Sequence, residues 1–163
     1  MKFTDFADLE KLQGLCDSLT SFSRNAVAIL DLDGNILVSA GWQDICTGFH
    51  RANPITARRC LESDTELNKQ PNKESKYKIY KCKNGLIDVA VAIVIGGEHM
   101  ANFFIGQFFF EKPDRELFLR QAEQFGFDKT AYLEALDRVP VYPETYIMKM
   151  MEFLAHVARI IGE

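Results

Sequence analysis

Residues 86–95, LIDVAVAIVI, constrain the fold more than any other stretch of the sequence. After Asp88 the run is wholly apolar and rich in β-branched side chains. Turn-forming residues bound it: Lys83-Asn84-Gly85 before, Gly96-Gly97-Glu98-His99 after. A spanning helix needs about 20 apolar residues, so this run is far too short to cross a membrane. Its length and flanks instead read as a strand in the middle of a sheet.

Other strands follow from the same signals. Residues 26–32 form a β-type run, Asp33-Gly34 is a hairpin signal, and residues 36–39 return. Paired strands joined in this way open many small-molecule sensor domains, although any antiparallel sheet can begin so. Residues 77–82 alternate, and residues 101–110 are rich in aromatics. Gly106-Gln107 interrupts the last of these, as at a bulge or a place where something approaches the backbone closely. The reading is five strands in one antiparallel sheet.

Helices are expected before, within and after these strands. Phe3, Phe6, Leu9, Leu12, Leu15, Cys16 and Leu19 recur at helical spacing over residues 3–22, with Thr4 as N-cap. Pro54 suits the first turn of a helix reaching Glu66. Residues 68–76 are polar and contain Pro71, a surface loop. Pro113-Asp114 and Asp128 start two further helices. Residues 144–161 form the last, with an apolar stripe broad enough to pack on its own domain, pair with a second copy, or continue into another helix. The expectation is an α+β chain, one domain over residues 1–163.

Composition removes several classes of function. At 163 residues the chain can bury about 70% of its unfolded surface. Its 13 Phe and 5 Tyr exclude disorder as the main state. The net charge is −4, and the densest basic pair, Arg58-Arg59, is followed by Glu62 and Asp64, so direct nucleic-acid binding is not expected. The N-terminus MKFTDFADLEKLQGL lacks the basic head and apolar body of a signal peptide. The expected setting is soluble and cytoplasmic.

Catalytic motifs are sparse. Neither phosphate-binding glycine pattern occurs. Cys46 and His50 stand four apart and would share a helical face, but no third member or oxyanion motif accompanies them. No pair among Cys16, Cys46, Cys60 and Cys82 is spaced C-x-x-C. Cys46, His50, Cys60 and Cys82, spaced by 4, 10 and 22 positions, could converge on a soft metal, or simply wall a pocket as small apolar groups. Trp42, Phe49 and the aromatics of residues 77–110 suit either a core or a ligand pocket. Asn102 and Gln107, polar among apolar neighbours, need a partner if they face inward.

The stretch GWQDICTGFHRANPITARRCLESDT (residues 41–65) resembles the PocR sensory-domain family. YKCKNGL (80–86), HMANFFIGQF (99–108) and QAEQFGFD (121–128) extend the likeness over residues 5–140. The resemblance implies a PAS-like fold with flanking helices and no activity of its own. It implies a sensor of small hydrocarbon derivatives such as diols, set before a transcription regulator's or signalling kinase's output. The matching positions are Cys46, Phe49, His50, Arg51, Cys60, Ser63, Asp64, Cys82, Asn84, Gly85, Gly106 and Gln107. The motif sets Cys16 apart from the other three cysteines. Trp42, Cys46, Phe49, His50, Arg51, Cys60, Cys82, Asn102 and Gln107 are therefore the expected ligand-binding residues. Cys46, His50, Cys60 and Cys82 are the alternative ligands of zinc, iron or an iron–sulfur cluster in a metal or redox sensor. The partners expected are a small-molecule ligand, a second copy of the chain, and a fused or separate output domain.

Overall fold

A computed structural model describes residues 1–66 and 77–163; the loop expected at 68–76 lies outside the described residues. Five strands, β1 (Ala26–Asp31), β2 (Ile36–Ala40), β3 (Lys78–Lys81), β4 (Ile87–Ile95) and β5 (Glu98–Phe108), form one sheet in the order β2-β1-β5-β4-β3. Every adjacent pair is antiparallel. The helices are α1 (Leu9–Ser23), α2 (Pro54–Thr65), α3 (Arg115–Phe125), α4 (Lys129–Asp137) and α5 (Glu144–Gly162). This is the expected α+β, PAS-like architecture. No helix among the described residues is long and apolar enough to cross a membrane.

The apolar run becomes β4, paired on both sides, but the middle of the sheet is β5. Residues 101–108 of β5 are buried without interruption, whereas Ala92 and Val94 of β4 are exposed. By sequence β4 is the more apolar of the two, yet β5, which carries Asn102 and Gln107, is the more completely buried, so hydrophobicity alone could not rank them. Gly96 and Gly97, at φ 58° and 85°, close their hairpin in two residues, and Glu98 and His99 pair with Ile95 and Val94 rather than turning.

At the N-terminus the single helix expected over 3–22 is two pieces. Phe3–Asp5 form a short 3₁₀ turn that buries Phe3, and α1 begins at Leu9. Thr4 is not the cap. The Asp8 carboxylate accepts the Lys11 N–H and starts the helix. The later helices start and stop where their signals lie. Asp114 and Asp128 cap α3 and α4, and Gly126 ends α3 in the left-handed conformation.

The two faces of the sheet are used differently. On one, Val27, Ile29, Val89, Val91, Ile93, Phe103 and Ile105 pack against Cys16 and Leu19 of α1 and Ile147, Met151, Leu154 and Ala158 of α5. The other face carries a much smaller set, Ala28, Leu30, Ala90 and Phe104, with Trp42 and Tyr80 against it. A second cluster, built on Ile45, Leu86, Phe109, Phe118, Tyr132 and Leu136, joins α3 and α4 to the end of the sheet. Small side chains on the second face leave room between the sheet and the segment from Trp42 to α2.

Candidate ligand cavity

That room is a cavity of about 40 Å³. Ala26, Ala28, Leu30, Leu86 and Phe104 supply its apolar wall. Trp42, His50, Arg51, Asp64, Asp88 and Gln107 bring polar groups to it, and Cys46, Cys60 and Cys82 complete the lining.

The segment opposite the sheet is shaped by an unusual turn. Residues Cys46–His50 form a π-helical turn in which the Arg51 N–H reaches back to the Cys46 carbonyl at 2.8 Å. Such wide turns are common at functional sites. This one brings Cys46, His50 and Arg51 to the cavity together. Asn53 then caps α2 by accepting the Ile55 and Thr56 N–H groups, with Pro54 in its first turn. α2 delivers Cys60 and Asp64 to the same cavity.

Arg51 is the cation of the site. Its Nη2 donates to Asp64 Oδ2 at 2.9 Å, and its guanidinium carbon lies 4.2 Å from the Trp42 ring centroid. Its Nε is buried with no hydrogen-bond partner among the described residues. Tyr80 Oη donates to the other Asp64 oxygen at 3.3 Å. Burial nevertheless raises the Asp64 carboxyl above the usual range, although Arg51 opposes the shift.

The floor is set by a bulge in β5. Ile87 pairs with Phe108 and Asp88 with Gly106, so Gln107 is extra, at φ 62°. This is the interruption that Gly106-Gln107 signalled. The Gln107 N–H donates to Asp88 Oδ1 at 3.1 Å, and its side-chain Oε1 accepts the Gln43 N–H at 2.6 Å. A Cβ on residue 106 would overlap Asp88 Oδ1 and lie 2.8 Å from its Cγ, so only glycine leaves space for the carboxylate. Burial pushes Asp88 up to about 7, Asp64 adds to the shift, and the Gln107 N–H and Arg51 oppose it.

His50 is almost fully buried, with Nε2 2.7 Å from Tyr132 Oη. Gln121 Nε2 also donates to that oxygen, at 3.2 Å. With Gln121 supplying one hydrogen, Tyr132 has its own to give to His50, an assignment from donor bookkeeping that leaves the imidazole protonated at Nδ1. Burial, helped by Arg51, drives His50 down to about 4, so it is neutral near pH 7. Burial raises all three cavity thiols: Cys46 well above its usual value, Cys60 upward, and Cys82 to about 12.

Of the expected binding residues, Trp42, Cys46, His50, Arg51, Cys60, Cys82 and Gln107 line this one cavity. Phe49 does not. It packs edge-on against Phe127 and Tyr132, at 5.5 and 5.2 Å. Asn102 lies on the same sheet face, two residues before Phe104, but its Oδ1 pairs with His99 Nε2 at 2.7 Å, outside the cavity. Asp88 was not expected as a site residue. The one charge in an otherwise apolar strand sequence was the signal that could have found it.

Among the described residues no group of three or more His, Cys, Asp or Glu side chains could hold a metal ion. Cys46, His50, Cys60 and Cys82 do share the cavity, and Tyr132 Oη lies 2.7 Å from His50 Nε2.

A five-stranded 2-1-5-4-3 sheet with helices over one face and a small lined cavity on the other defines a PAS-like domain. The family described as "Sensory domain found in PocR" matches residues 5–163, and the chain belongs to that family. The match runs past residue 140 and takes in all of α5. No curated protein matches the chain.

Proposed function

We propose that this sensory domain binds a small hydroxylated hydrocarbon derivative, with a short diol as the type, in the cavity between the sheet and the segment from Trp42 to Asp64. The observation that carries this reading is the composition of the cavity wall. An apolar surface from Ala28, Leu30, Leu86 and Phe104 meets an Arg51 donor and an Asp88 acceptor in a space of about 40 Å³. A hydroxyl both donates and accepts, so a short diol satisfies both groups while its carbons cover the apolar wall. The raised thiols support binding without chemistry, because a cysteine nucleophile needs a lowered pKa.

The output belongs to another segment or a partner protein, a transcription regulator or signalling kinase. α1 and α5 lie on the sheet face opposite the cavity, and β1, β4 and β5 contribute to both faces, so ligand contacts can bias how these helices sit. Phe153 and Ile160 on the outer side of α5 are exposed and suit pairing with a second copy.

Thermal unfolding with propane-1,2-diol, alongside native mass spectrometry of the purified protein, tests the reading. A ligand at about 100 times its Kd adds about 2.7 kcal/mol and raises Tm accordingly. No Tm shift with any short diol, and no small molecule retained, would refute it.

A further inference from the structure

Asp88 stands apart from the other charged groups of the cavity. Arg51 and Asp64 neutralise each other through a direct ion pair. Asp88 has no cation bonded to it; among the described residues its one hydrogen bond comes from the Gln107 N–H. The groups around it are Arg51 from the π turn, Cys60 and Asp64 from α2, Tyr80 on the paired strand β3, and the Cys46 and Cys82 thiols. Asp88 as a residue is half-buried, and it lines the cavity.

The chain gives up backbone regularity to hold it there. The β5 bulge puts Gln107, a residue with a side chain, in the left-handed region, and Gly106 alone leaves room for the carboxylate. Backbone strain at a cavity marks a place where geometry is held for a purpose. A buried carboxylate with one oxygen bonded to an N–H, and no described donor at the other, calls for a hydrogen-bond donor from whatever enters.

We propose that Asp88 is the specificity-determining residue of the cavity, requiring a ligand to present a hydrogen-bond donor to its free oxygen and excluding organic anions of the same size. The inference rests on the reading of the cavity as a site for small hydroxylated molecules, and it adds the rule by which it selects among them. Ligand hydroxyls meet the rule. A carboxylate at the same position faces like charge and brings no proton.

The test compares propane-1,2-diol with lactate, which matches it in size but carries a carboxylate, by calorimetry between pH 6 and pH 8. Asp88 titrates at about 7, so its protonated fraction rises about tenfold from pH 8 to pH 6. Lactate stays ionised throughout and should gain up to about tenfold in affinity relative to the diol over that interval. His50, held near 4, does not change charge there. In Asp88→Asn, which keeps the shape and supplies an N–H, the preference for diol over lactate should collapse and lose its pH dependence. A diol that binds wild type with a selectivity unchanged by pH and by Asp88→Asn overturns the role of Asp88 alone. A wild type that binds neither probe overturns the underlying reading of the cavity, and this inference with it.

Discussion

Replacing Asp88 by Asn should make the protein more stable at neutral and alkaline pH, and the gain should grow with pH in a calculable way. In the folded chain Asp88 titrates at about 7, because burial and Asp64 disfavour its charge. Unfolded, it titrates near the ordinary value of about 3.9. Between those limits the folded state holds the extra proton, so stability falls as pH rises, by about 1.4 kcal/mol per unit. The whole interval is worth about 4 kcal/mol, and the part between pH 5 and pH 8 about 3 kcal/mol. Asparagine has no such titration, yet its Oδ1 can still accept the Gln107 N–H. Other titrating groups are common to both proteins, so most of their effect cancels in the difference. With a urea m-value of about 2 kcal/mol/M, the midpoint gap between variant and wild type should widen by about 1.5 M from pH 5 to pH 8. Urea titrations at four pH values measure it directly. A gap that stays constant across that range would show that Asp88 is ionised at its usual pKa, and the account of a desolvated carboxylate at the cavity floor would fail.

All four cysteines should react slowly with iodoacetamide near pH 7 in the folded protein, since burial raises each thiol. Mass spectrometry over time reads this, and one fast, selective site would reopen the nucleophile reading. Phe153→Glu combined with Ile160→Glu should shift a dimer to monomer in sedimentation equilibrium while leaving diol binding intact. A wild type that is monomeric at every concentration would remove α5 as a pairing face.

Much of the fold could be read from local signals. The hairpin at Asp33-Gly34, the caps at Asp114 and Asp128, and the stop at Gly126 depend on short-range chemistry, and each stands where its residues place it. Thr4 misled because it competes with a better placed carboxylate four residues on, and the spacing of apolar residues does not register the break between the 3₁₀ turn and α1. The candidate site was legible in part. The matched motif gathered Cys46, His50, Arg51, Cys60, Cys82 and Gln107, all on the cavity wall. Phe49 belongs to the same motif, yet it packs on Phe127 and Tyr132, partners more than 70 residues away that a local motif does not register.

The sequence by itself determined five strands, the helices around them, and a group of thiols and polar residues set apart by their motif. The strands and helices follow from periodicity and turn chemistry, which act over a few residues; the group of thiols and polar residues follows from the resemblance to the sensory-domain family. Only the tertiary structure decided that β5 rather than the more apolar run of β4 is the middle strand, since strand order is a long-range choice that local hydrophobicity does not register. It also decided what the thiols and Asp88 are. Burial made the cysteines a neutral wall, and a one-residue bulge across the sheet gave the lone charge of residues 86–95 its N–H partner at the cavity floor.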